Sequence, residues 1–226
     1  MLAMSVTNTR STTQQSRKTT LSVNVAAYLA SKGQKVLLVD ADKQGSATTW
    51  ASLREETPFQ VVSMARENLA KDVLKLAAEY EVTVIDGPPH AEGIARACII
   101  ASDFVALPIE PSGLSTWASD LTVRQVTEAQ TFKETLKCGF VISRKIGNTV
   151  IGREIRTMAG EAGIPLVSSE VEQRVAYAES LTMGKTISEW SPTGAAAKEI
   201  KTLTDEIIEH VQEDLRDSAE AQAARA

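Results

Sequence analysis

The chain has 226 residues, 43% of them apolar and 23% charged, the balance of a folded domain with a sizeable core rather than of a disordered segment. A net charge of −5 excludes a uniformly basic surface, so contact with nucleic acid or an anionic membrane calls for a local basic patch. No run of 18 apolar residues reads as a membrane span, and the first 20 residues are too polar for a signal peptide. The two cysteines, Cys98 and Cys138, sit in apolar surroundings, make no metal or disulfide framework, and read as buried thiols of a cytoplasmic protein.

In chain order, Ala3–Val6 reads as a weak first strand. Leu21–Lys32 follows as a helix with Val25 and Leu29 on one face and Gly33 at its C-terminal cap. Lys35–Val39 (KVLLV), Val82–Ile85 (VTVI), Phe104–Ile109 (FVALPI) and Gly139–Ser143 (GFVIS) are short, β-branched apolar runs, as expected for parallel strands covered on both faces. Pro165–Ser168 (PLVS) is a fifth such run. Helical spacing predicts further helices over Glu67–Tyr80, Ser115–Thr135, Val150–Ala162 and Ala195–Leu215. The alternation predicts an α/β fold, a doubly wound, mostly parallel sheet with helices on both faces. It forms one domain over residues 1–212, of which 1–17 are atypical, followed by a charged, alanine-rich, fraying tail at 213–226.

Ligands of such folds bind at the carboxyl ends of the strands. There KVLLV runs into Asp40-Ala41-Asp42-Lys43-Gln44-Gly45, and VTVI runs into Asp86-Gly87-Pro88-Pro89. Carboxylates at two strand ends suit Mg²⁺, which keeps several waters and needs few protein ligands. An Asp of this kind can also orient an attacking water in phosphoryl transfer. The plainer alternative is that each Asp caps the following loop through backbone N–H groups.

Five stretches then follow in the order seen in the ParA family: VDADKQGSATTW (39–50), VIDGPPH (84–90), LPIEPSGLS (107–115), FVISRK (140–145) and GKTISEWSPTGAAAKEI (184–200). Over roughly residues 18–212 the chain resembles the small ParA proteins that lack an N-terminal DNA-binding domain, within the deviant Walker P-loop ATPases. The resemblance implies ATP and Mg²⁺ as cofactors. It assigns Lys18 to the β- and γ-phosphates, Thr19 to Mg²⁺, and Thr20 to the neighbourhood of the α-phosphate. Asp40 and Asp42 would form the first switch, one helping to hold hydrated Mg²⁺ and the other helping to activate water; Asp86 would be the second metal carboxylate. Gly87 to His90 resemble the second switch, and Arg144 and Pro111 fall near the nucleotide base and the dimer surface. Further implications are an ATP-dependent homodimer, nonspecific DNA, a small centromere-binding ParB-like partner, and a nucleoid-associated cytoplasmic location.

The basic candidates for DNA are Arg144, Lys145, Arg153, Arg156, Arg174, Lys185, Lys198 and Lys201, read against a plain reading as solvated helix faces. A membrane role is disfavoured because Glu206, Glu209, Glu213 and Asp214 surround the apolar stripe of the last helix. An iron–sulfur relative is disfavoured because the cysteines lack paired-ligand spacing.

One segment departs from the family. Its pattern Lys-Gly-Gly-x-Gly-Lys-Thr-Thr keeps Lys18-Thr19-Thr20, but Thr13, Gln14, Gln15, Ser16 and Arg17 precede them, without the three glycines or the signature lysine. A phosphate cradle needs backbone conformations and close approaches that a Cβ obstructs. At roughly 1–2 kcal/mol per strained residue, two or three such positions cost roughly 2–6 kcal/mol, or one to four decades of affinity. Whether ATP hydrolysis survives, or the chain is a nonhydrolysing ParA-like scaffold, stays open at this level. The abrupt edge at Lys18, with both switches intact, favours a local event such as a shifted reading frame over gradual decay.

Overall fold

The structure is a computed structural model that describes residues 2–6, 12–88, 91–109, 121–145, 155 and 159–223, with the backbone alone described for 2, 12–17, 144–145 and 213–223. Seven strands alternate with helices along it: β1 (Leu2–Val6), β2 (Val36–Asp40), β3 (Gln60–Ser63), β4 (Val82–Asp86), β5 (Phe104–Ile109), β6 (Lys137–Lys145) and β7 (Leu166–Glu172). The helices are α1 (Thr12–Ser31), α2 (Ser46–Ser52), α3 (Leu69–Ala77), α4 (Glu92–Ile100), α5 (Leu121–Phe132), α6 (Val175–Thr182), α7 (Ile187–Trp190) and α8 (Ala195–Ala223).

The strands form one parallel sheet in the order β3-β2-β4-β1-β5-β6-β7. Successive residues of each strand serve opposite faces. Val36, Leu38, Val82 and Val84 pack with Val25, Leu29, Ile200 and Leu203 of α1 and α8. Their neighbours Leu37, Val39 and Ile85 pack on the other face with Leu69, Val73, Ile94 and Cys98 of α3 and α4. Farther along the sheet, Val105, Leu107, Phe140 and Ile142 bury Val123 and Val126 of α5. This is the expected doubly wound α/β arrangement, with both faces of the sheet covered by helices.

Several bounds differ from the sequence reading. Helix α1 starts at Thr12 rather than Leu21, since residues 12–20 contain neither Gly nor Pro to stop a helix. Helix α8 continues past Leu215 to Ala223 through a stretch, RDSAEAQA, that is rich in alanine and holds neither Gly nor Pro. Strand β3 and helices α2, α4, α6 and α7 are additional elements. The helix expected over Val150–Ala162 and the N-terminal part of that over Ser115–Thr135 fall mostly outside the described residues. Both cysteines are buried free thiols, and burial pushes Cys98 up to about 12 and Cys138 up to about 11.

Candidate functional site

The parallel register aligns the ends of three strands. Val6 of β1 and Asp40 of β2 both pair with Asp86 of β4, so the two carboxylates leave adjacent strands side by side, with Cα atoms about 4.8 Å apart. The ladder runs one residue past the strand ends, with Ala41 N–H donating to the Asp86 carbonyl at 3.0 Å and Gly87 N–H to the Val6 carbonyl at 2.9 Å.

Helix α1 faces these ends and brings hydroxyls to them. Thr19 Oγ1 donates to Asp86 Oδ2 at 2.6 Å, and Ser22 Oγ donates to Asp86 Oδ1 at 3.1 Å. Burial pushes the Asp86 carboxyl up to about 7, against the lowering effect of the Thr19 bond and the Lys18 charge; the neighbouring Asp40 charge adds to the rise. Lys18 is 2% exposed, and its Nζ donates to the Gly87 carbonyl at 2.9 Å. Burial lowers its basicity, and the nearby Asp86 and Asp42 carboxylates oppose that shift.

Asp40 and Asp42 are buried as well, and both do what the plainer reading expects. Asp40 Oδ2 accepts from Thr48 N–H at 2.8 Å and Thr48 Oγ1 at 2.9 Å, and Asp42 Oδ1 accepts from Gln44 N–H at 3.0 Å. The other Asp40 oxygen, Oδ1, accepts a longer 3.3 Å bond from the Asp42 N–H. Thr20 is half-buried on α1, and its carbonyl accepts from Asn24 Nδ2 at 2.8 Å.

The structure thus gathers Lys18, Thr19, Asp40, Asp42 and Asp86 at one place, together with Gly87, the first residue of the expected second switch, and Ser22, which sequence reasoning passed over. A signal for Ser22 was available: it stands three residues after Thr19, on the same helix face. Pro111 lies outside the described residues, as do Pro89 and His90 of the second switch; Arg144 belongs to β6, and its side chain is outside them. Among the DNA candidates, Arg174 is bonded to Glu199 and Glu172, and Lys201 is paired with Asp205, as on solvated faces. Lys185 lies over the Trp190 ring, Lys198 is exposed, and Arg153, Arg156 and the Lys145 side chain are outside the described residues. A groove of about 520 Å³ beside Tyr28, Leu29, Lys32 and Asp205 lies at the far end of α1, away from this chemistry.

Two implied cofactors fit these residues differently. Hard oxygen donors from Thr19, Asp40 and Asp86 suit Mg²⁺, which completes its shell with water. No group of three His, Cys, Asp or Glu side chains is gathered for a metal among the described residues, so this would be a water-rich site. A triphosphate does not fit in the usual way, because the chain before Lys18 is helical from Thr12 and lacks the glycines of a cradle. Among the described residues no helix is long and apolar enough to cross a membrane.

A second cluster joins α2 to α7. Arg54 donates to both Glu189 oxygens at 2.7 and 2.8 Å and to the Gly184 carbonyl at 2.7 Å, while lying over the Trp50 ring. Glu189 also completes a capping box with Thr186, and the Ile187 N–H donates to Asn24 Oδ1 of α1 at 2.6 Å. The Arg54 hydrogen bonds hold the Glu189 carboxyl down at about 2.

Known proteins resemble this chain in sequence and in fold. Residues 9–187 match the family described as the CobQ/CobB/MinD/ParA nucleotide binding domain. The maintenance of carboxysome distribution protein A of Halothiobacillus neapolitanus is 30% identical over 196 residues, covering 84% of this chain and 90% of that protein. The chromosome-partitioning ATPase Soj of Thermus thermophilus is 25% identical over 229 residues, covering 87% and 92%. Among solved structures, the septum site-determining protein MinD of Pyrococcus horikoshii, complexed with Mg-ADP, superposes with a TM-score of 0.69 at 16% identity, covering 91% of this chain and 95% of that one. At that identity the likeness speaks for the fold. The family match and the 30% relative carry the assignment: the chain belongs to the CobQ/CobB/MinD/ParA family, with its relatives on the ParA side.

Proposed function

We propose that this chain is a ParA-type partition ATPase that segregates a plasmid or chromosome. In this reading it dimerises with ATP and Mg²⁺, binds DNA nonspecifically, and answers to a small centromere-binding partner. The observation that carries the reading is the 2.6 Å bond from Thr19 to Asp86. It ties the Lys18-Thr19-Thr20 segment to a strand-end carboxylate that stands in register with Asp40. Three segments distant in sequence meet where a phosphate-handling fold does its chemistry. A relative named for chromosome partitioning supports DNA as the cargo track, and one named for carboxysome distribution supports a positioning role in general.

In this reading Thr19, Asp40 and Asp86 hold the metal ion, which would supply charge neutralisation at phosphate oxygens. Asp42 orients a water, and Lys18 offers its ammonium once the Gly87 carbonyl lets go of it. Lys18, Thr19 and Thr20 are the nucleotide contacts, with Arg144 and Pro111 near the base. The site lies within a single domain over residues 1–212.

A second reading is favoured by one specific observation, the helical backbone from Thr12 to Lys18. It makes the chain a nonhydrolysing scaffold that keeps the ParA fold and a partner surface. ATP hydrolysis measured with DNA and the partner protein separates the two. Stimulated turnover that disappears in Lys18→Ala supports the ATPase. Turnover unchanged in that variant refutes the role of Lys18, and no turnover with retained partner binding supports the scaffold.

A further inference from the structure

The loop after β2 poses a capping problem for α2. Gly45 is the N-cap of that helix, at φ 64°, and it has no side chain to offer the first-turn amides. The Thr48 N–H, in the first turn, is instead satisfied by Asp40, eight residues earlier at the end of β2. The Thr48 hydroxyl donates to the same Asp40 oxygen at 2.9 Å. Two donors from one residue converge on Oδ2, while the Oδ1 atom accepts a longer 3.3 Å bond from the Asp42 N–H. Asp40 is fully buried, and its charge bears on Asp86.

We propose that Thr48 is a positioning residue for Asp40: its hydroxyl and N–H pin Oδ2 and so fix the orientation of a carboxylate whose residue pairs in register with Asp86. This rests on the reading of Asp40 as a metal carboxylate. A carboxylate with both oxygens free would rotate about its last torsion and share its time among orientations. Two donors from a helix on one oxygen, with the longer Asp42 N–H bond on the other, hold this carboxylate in one orientation. The N–H half of the clamp survives any substitution at 48 other than Pro, so the hydroxyl is the part a side chain can add or remove.

The test is Mn²⁺ binding to the full chain, followed by the EPR signal of free Mn²⁺, for wild type, Thr48→Val, Thr48→Ser and Asp40→Asn. Thr48→Val keeps the shape and removes the donor. The expected result is roughly ten-fold weaker Mn²⁺ binding in Thr48→Val and near wild-type binding in Thr48→Ser, as for partners that orient metal ligands. Melting temperatures of both should stay within about 4 °C of wild type, since the amide cap remains. Equal Mn²⁺ affinity in Thr48→Val and wild type overturns the proposal and leaves the metal site standing. Equal weakening in Val and Ser also overturns it, because packing and not the hydroxyl would then matter. Failure of wild type to take up Mn²⁺, or uptake unchanged in Asp40→Asn, overturns the metal reading of Asp40 and this proposal with it.

Discussion

On the strand side of the site, Asp40, Asp42 and Asp86 are buried and hydrogen-bonded, and the sheet register sets two of them side by side. On the helix side, the chain before Lys18 is helical from Thr12 and carries none of the glycines that a phosphate cradle uses. The difference lies in what each half depends on. The carboxylates are placed by β1, β2 and β4, so changing them means disturbing the centre of the sheet. A cradle depends on the backbone of a few consecutive residues, so one local change removes it and leaves the core intact.

The comparison can be broken most forcefully from the helix side. Placing Gly at 14, 15 and 17 with Lys at 13 should raise affinity for Mg-ATP by about one to four decades, read by calorimetric titration. No gain would mean that the missing glycines are not what separates the two halves. From the strand side, Asp86→Ala leaves the Thr19 and Ser22 hydroxyls without their acceptor and the buried Lys18 without its nearby negative charge. Urea unfolding should show a loss of about 3 kcal/mol. A smaller effect is expected at the α2–α7 clamp, where Arg54→Ala should cost about 1–2 kcal/mol in the same assay through lost bonds and lost packing on Trp50.

The smallest effect concerns pH. The folded-state carboxyl of Glu189 is depressed to about 2 from an ordinary 4.5, so its contribution is fully present above 4.5 and fades as pH falls toward 2. Melting curves across that window should fall less in Arg54→Ala than in wild type. Equal slopes would show that the ion pair does not set the Glu189 shift.

Particular elements show what could be read before the fold was known. β2, β4 and β5 announced themselves because strands buried on both faces are unbroken apolar runs. β3 is four residues long with exposed ends, so its two valines carried no such signal. α7 had a readable start in Thr186 and Glu189, the two ends of a capping box, but only four residues to display a period. In the site, Asp40 and Asp86 were legible because strand ends are where ligands bind, and Lys18 and Thr19 because they keep their family spacing. The Lys18 bond to the Gly87 carbonyl and the Thr48 clamp on Asp40 were not, since both depend on side-chain directions that tertiary packing decides. The pairing of Arg54 with Glu189, 135 residues away, was hidden for the same reason.

The most direct test of the contrast between the two halves is hydrogen exchange at the amides of Ser16 to Thr20, with and without Mg-ATP. A helix that starts at Thr12 gives these N–H groups partners four residues earlier, so they should exchange slowly in nucleotide-free protein and change little when Mg-ATP is added. Fast exchange without nucleotide and strong protection with it would show a loop that folds around phosphate, and would contradict the account.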